Sequence, residues 1–149
     1  MIDQMGRLTK YASFLVVLDT MWGHTTKDAE RWFPINPDNH SGRRLYRLTG
    51  CRFPHVWVTN ACPQQTNHAT KHGKPSPTWL WGSLWMLDGR AKDLPLLVCG
   101  KVAQETFRLV VGHGHRGPVI RLKHPAARTW SEHDIAVAIN TIKRKTHAR

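Results

Sequence analysis

Ala12-Ser-Phe-Leu-Val-Val-Leu-Asp19 is the stretch whose reading decides the fold. Its unbroken apolar run, Phe14 to Leu18, contains two β-branched valines and closes on an acid. A strand with one wet face would alternate apolar and polar residues; an unbroken run is the habit of a strand covered on both faces in a parallel sheet. The run is too short to cross a membrane and too short for the apolar core of a secretion signal, so no membrane span and a cytoplasmic setting are expected.

Outward from that strand the chain alternates between strand and helix signals. Residues 20–40 mix Gly, Pro, Asn and His without a clean period and read as a long loop, with one helical turn at 27–32 at most. Ser41 caps a short helix to residue 48, with Leu45 and Leu48 facing inward and a stop near Gly50. Residues 55–60 form a second strand, and the polar stretch 61–77 reads as irregular, of a length that compact domains keep for function. Leu80, Leu84 and Leu87, with Trp81 and Trp85, predict an amphipathic helix over 79–90. A third strand spans 94–99, Gly100-Lys101 opens a helix through Phe107, and a fourth strand spans 119–122. Ser131 caps the last helix with Asp134 as its capping-box partner, and Ile135, Val137, Ala138, Ile139 and Ile142 supply its apolar side. This alternation predicts one three-layer α/β/α domain over residues 1–149, built on a four-stranded, mostly parallel sheet.

The charge points to a polyanion. Twenty-two Lys+Arg against 10 Asp+Glu leave a net charge of +12, the electrostatic footprint of a nucleic-acid partner. Basic residues gather at Arg43, Arg44 and Arg47, at Lys71 and Lys74, at Arg116, Arg121, Lys123 and Arg128, and at the C-terminus. The C-terminal group reads equally well as a solvated helix end, whereas the group around His124 points to phosphate. The three cysteines are odd in number and form no CxxC pair, so neither a disulfide framework nor a cysteine zinc site is expected.

Asp19, Asn60 and His124 close the first, second and fourth expected strands. Pro125 ends the fourth strand and projects His124 off its tip. In a parallel sheet those ends share one edge, where open α/β sheets place ligand chemistry. An acid, an amide and an imidazole would then meet at one cleft. Each residue also has an ordinary role: Asp19 as a loop cap, Asn60 satisfying a turn, His124 as a packing histidine. Phe33, in the loop after the first strand, is either a core aromatic or a stacking surface for a planar ligand.

The order strand–acid–loop–Phe, then Ser-Gly-Arg-Arg-Leu45, Val-Thr-Asn60, Leu-Val-Cys-Gly-Lys-Val-Ala103 and Leu-Lys-His-Pro-Ala-Ala-Arg128, resembles the uracil-DNA glycosylase superfamily. The similarity is to its small bacterial, phage and family-4-like branches, and it runs from Phe14 to the C-terminus. The resemblance implies a uracil-DNA-glycosylase-like fold and cleavage of the N-glycosidic bond of a flipped, uracil-like or modified base. It implies that His124 stabilises the departing base through a hydrogen bond to its carbonyl oxygen, and that Asn60 reads the edge of the flipped pyrimidine. Phe33 would stack on that base, Asp19 would orient or activate the attacking water, and the Arg128 region would enter the minor groove. Such chemistry needs donors aimed at an anionic leaving base, a positioned carboxylate, and a basic rim with an aromatic platform. Arg43, Arg44, Arg121, Lys123 and Arg128 are the expected DNA contacts. The same resemblance implies a monomer in a bacterial or phage-infected cell, acting in DNA repair or in modified-base metabolism.

The first motif differs from the family's Gly-rich turn into proline: it reads Leu-Asp19-Thr-Met-Trp-Gly-His24. His24 lines that loop or takes part in catalysis. No cysteine pattern matches the ligands of an iron–sulfur cluster, so no cofactor is expected. Two other functions stay open on the residues. One is a non-catalytic nucleic-acid- or protein-binding module, favoured by the altered motif. The other is a metal-dependent nuclease using His68 and His72 or His113-Gly-His115, whose loop-like surroundings speak for no metal.

Overall fold

The computed structural model describes residues 10–22, 40–52, 55–66 and 74–147. The expected loop 20–40 falls largely on residues 23–39, outside this description, and so do Phe33, His24, Lys71, His68 and His72. The described chain runs β1 (Phe14–Trp22), α1 (His40–Thr49), β2 (Val56–Thr66), α2 (Pro77–Trp85), a 3-10 turn (Ala91–Asp93), β3 (Leu96–Cys99), α3 (Lys101–Arg108), β4 (Val119–Leu122) and α4 (Glu132–His147). Among the described residues no helix is long and apolar enough to cross a membrane.

The four strands form one sheet in the order β2-β1-β3-β4, and every pairing is parallel. The apolar run of β1 accounts for its central place. Leu15 and Val17 face one core with Trp57, Leu80, Leu84, Leu96, Val98, Ala103 and Phe107. Val16 and Leu18 face another with Leu45, Leu48, Leu97, Ile120, Ile135 and Ile142. Alternate residues of one strand thus supply two cores, with α2 and α3 on one face and α1 and α4 on the other. The result is the three-layer arrangement, with a sheet that is wholly parallel.

Two boundaries differ from the sequence reading, and both move the site. β1 continues past Asp19 to Trp22, and β2 continues past Asn60 to Thr66. Residues 61–66 are therefore strand and not loop. Their polar side chains hide the pattern, while their backbone pairs with the extension of β1 (Thr20 with Cys62, Met21 with Gln65), across a register shift after Thr20. The helix expected over 79–90 starts earlier and stops earlier. Ser76 Oγ accepts the N–H of Trp79 at 3.1 Å, with Pro77 in the first turn, and proline there lacks only a donor that would have had no partner. Beyond Leu87 the chain turns, and Asp88 Oδ1 accepts the N–H of Ala91 at 2.9 Å.

The capping box of α4 forms in both directions: Ser131 Oγ accepts from Asp134 N at 3.0 Å, and Asp134 Oδ2 accepts from Ser131 N at 3.1 Å.

Candidate functional site

The connections leave β1 toward β2 on one side and β3 toward β4 on the other, so the chain changes direction between β1 and β3. A crevice at the carboxyl ends of those strands is where such sheets bind ligands. Leu18 pairs with Asn60, and Cys99 pairs with Leu122. With Val17 opposite Val98, the last full row across the sheet is Asn60, Leu18, Cys99 and Leu122. Leu18, Cys99 and Leu122 belong to the core under α1 and α4, so Asn60 points to that face. Asp19 is one residue on from Leu18 and points to the opposite face, toward α3.

Asp19 is 7% exposed. Its Oδ1 accepts the N–H of Ala103 at 3.0 Å, so this carboxylate serves the start of α3, a position that favours negative charge. Gly100 makes the approach feasible. Its φ of 96° and ψ of 160° are open to glycine alone, and a Cβ there would lie 2.8 Å from Asp19 Oδ1 and 3.0 Å from Oδ2. The carboxylate also acts on its neighbours: burial first, and then the Asp19 charge, raise the Cys62 and Cys99 thiols above their usual range.

On the other face, Asn60 is 9% exposed, and its Oδ1 is buried without a hydrogen-bond partner. Its backbone oxygen accepts the indole N–H of Trp79 at 3.1 Å. Arg44, on α1, lies over the Trp130 ring with Cζ 5.4 Å from its centroid, and its Nη1 is likewise buried without a partner. A buried acceptor and a buried donor are thus left open on the α1–α4 side. Orphaned buried groups are rare and cost about 1–3 kcal/mol each when nothing meets them.

His124 stands two residues beyond Leu122, at the far end of the same row. Its Nδ1 accepts the N–H of Ala126 at 3.0 Å, which ties the ring to the loop that follows. The loop after it is pinned through the His124 backbone oxygen, which accepts from Ala127 N at 2.9 Å and from Trp130 Nε1 at 2.8 Å. Trp130 therefore links the His124 loop to Arg44. Asn60 and Leu122, the ends of the row, are three strand spacings apart, roughly 14 Å at about 4.8 Å each, and His124 lies two residues further on.

The basic residues divide. Arg43, Arg121 and Arg128 are exposed, Arg43 with its Nη2 3.4 Å from His40 Nδ1. Lys123 is engaged within the fold: its Nζ donates to Asp134 Oδ2 at 2.8 Å and to the Thr129 carbonyl at 3.1 Å. Arg47 pairs with Glu132, and Arg116 with Asp93 at 2.9 Å. His113 and His115 sit before β4, at the opposite end of the sheet; His115 Nε2 lies 2.7 Å from the Leu94 carbonyl. Among the described residues no group of three or more His, Cys, Asp or Glu is placed to hold a metal ion.

The reading of single residues missed two pairings: Trp79 with Asn60, and Trp130 with both His124 and Arg44. The Ser76-Pro77 helix start, which sets Trp79 beside Asn60, was the available signal for one of them. Comparison of the chain with protein-family models and with curated proteins returns no match.

Proposed function

We propose that the chain is a DNA glycosylase-like protein that hydrolyses the N-glycosidic bond of a flipped, uracil-like or modified base, on a uracil-DNA-glycosylase-like fold. The observation that carries the reading is Asn60 Oδ1, a buried acceptor with no partner on the sheet's carboxyl edge. An imide-like N–H on a base edge is the donor such an oxygen lacks. An imidazole N–H from His124, which lies just beyond the other end of the row, would suit a carbonyl oxygen that gains charge as the base leaves. Arg44, on the same face, supplies a cation for a flanking phosphate, as do the exposed Arg43, Arg121 and Arg128. In the reaction water forms a bond to C1′ as the C1′–N bond breaks, the base departs with the electron pair, and the proton lost by the water ends on the departed base. Asp19 is turned to the α3 face, where its Oδ1 holds the Ala103 N–H, so its part in this reading is to fix the start of α3 at the same edge.

The test is abasic-site formation on oligonucleotides carrying uracil, other deaminated bases and a hydroxymethylated pyrimidine. Excision that survives chelator and falls about 100- to 1000-fold in His124→Ala, the usual effect of losing one such donor, supports the reading. Asn60→Ala is expected to fall with it.

A second reading has its own observation. Asp19 caps α3 and points away from the Asn60 face, which fits a binding module without the reaction. No excision from any substrate, with salt-sensitive DNA binding intact, would decide for it.

A further inference from the structure

Helix α2 has a composition that a solvated surface helix does not need. From Pro77 to Leu87 the chain carries no charged side chain, in a protein with a net charge of +12. Leu80, Ser83 and Leu84 turn to the core. Trp79, Trp81 and Trp85 remain 47%, 37% and 51% exposed, where an amphipathic helix would place polar residues. Trp81 and Trp85 stack one turn apart, with centroids 5.5 Å apart and planes 8° from parallel. Gly82, beside them, has nothing within 4 Å of where a Cβ would stand, so the helix surface there is open. Cations stand at both ends: Lys74 is exposed just before the Ser76 cap, and Lys92 Nζ lies 4.6 Å from the Trp85 centroid. Trp79 ties the start of α2 to Asn60 through the 3.1 Å bond to its backbone oxygen.

Flat indoles between cations, with no carboxylate on the helix itself, match the chemistry of a single nucleic-acid strand. Every base offers a π face, and the phosphates between bases seek the ammonium groups. We propose that α2 is a stacking platform for single-stranded DNA, its first turn tied to the Asn60 backbone at the sheet's carboxyl edge. Nine helical residues span about 14 Å, room for roughly four bases at a rise of about 3.4 Å. The choice of DNA rests on the function proposed above, whereas the platform itself rests on α2. This platform would give the protein a preference for single-stranded over duplex substrate.

The experiment measures binding without chemistry, so its failure is distinct from a failure to excise. A fluorescein-labelled 12-nucleotide oligothymidylate is titrated with the full chain by anisotropy at several salt concentrations, beside a duplex of the same length. The Trp81→Ala/Trp85→Ala pair is expected to weaken oligothymidylate binding about 5- to 100-fold and leave duplex binding unchanged. Trp81→Phe/Trp85→Phe keeps two flat rings and is expected to stay within about threefold of the parent. Lys92→Gln is expected to lower the salt slope by about 0.7. Should the alanine pair fail to fold, quenching of the parent's tryptophan fluorescence by saturating oligothymidylate, largely lost in the phenylalanine pair, reads the same contact. Unchanged affinity in a folded alanine pair, or no quenching of the parent, overturns the proposal. Tighter binding of oligouridylate than of oligothymidylate overturns the assignment to DNA. A change of oligomeric mass in the alanine pair with unchanged oligonucleotide affinity overturns it in favour of a second copy of the chain.

Discussion

Replacing Gly100 with alanine, alone and together with Asp19→Ala, isolates the contact that joins β1 to α3. The alanine meets two separate costs. Its backbone would sit at φ 96° and ψ 160°, a region nearly closed to side-chain-bearing residues, at about 1–3 kcal/mol. Its Cβ would also lie 2.8 Å from Asp19 Oδ1 and 3.2 Å from Cγ. The carboxylate cannot swing aside and keep its bond to Ala103 N, so overpacking adds about 1–3 kcal/mol. Gly100→Ala alone is therefore expected to cost about 2–6 kcal/mol. Asp19→Ala alone removes a helix cap, about 0.5–2 kcal/mol. In the double variant the clash disappears and the backbone strain stays, so the combined loss should fall short of the sum by about 1–3 kcal/mol. Urea unfolding followed by far-UV circular dichroism, with unchanged slopes across the four proteins, measures the coupling. Additivity within about 0.5 kcal/mol would refute the reasoning, because the carboxylate would then not be held against Gly100.

Two further outcomes follow from charge and burial. The Lys123 ammonium, followed by the Ser131 backbone N–H, holds the Asp134 carboxyl down at about 2. A carboxyl depressed in the folded state contributes stability above its unfolded value and loses it as pH falls through the folded one. Wild type should therefore exceed Asp134→Asn in urea midpoint at pH 7, with the gap narrowing as pH falls below about 4 and closing only below about pH 2. A gap undiminished between pH 7 and pH 2 would sink the argument. Cys99 is fully buried, and burial followed by the Asp19 charge raises its thiol far above the usual range. A thiol reagent at pH 8 should modify the part-exposed Cys51 first and leave Cys99 intact until urea unfolds the chain. Rapid labelling of Cys99 in the native state would contradict its placement.

The elements most legible in the sequence carry strong local signals. Ser131 and Asp134 form the capping box that their spacing implies, and the apolar run at Phe14 to Leu18 becomes the central strand. What stayed hidden depends on pairing. Residues 61–66 look polar and loop-like, and they become strand because β1 runs on beside them. The facing of the candidate residues is likewise a matter of register. With Leu18 opposite Asn60, Asn60 shares a face with Leu18, and Asp19 takes the other. A shift of one residue would have put the acid and the amide together, and nothing local in either strand chooses between the two. Lys123 shows the same limit for charge: its cluster suggests phosphate, but Asp134 and the Thr129 carbonyl hold it within the fold.

The place of β1 between β2 and β3 bears on how the chain is made. Its partner on one side, β2, emerges soon after it, but Leu15 must wait for Leu96 on the other. At about 5–20 residues per second, a ribosome takes roughly 4–16 s to cover that interval. Throughout it, the strand with the sheet's longest apolar run has at least one edge without its native partner, a template for pairing with other nascent chains. Slowed translation through α2 would lengthen that exposure, and a holdase chaperone bound at residues 14–18 would shorten it. Yield from fast expression without chaperones should thus be governed by the wait for β3 and not by the stability of the finished fold.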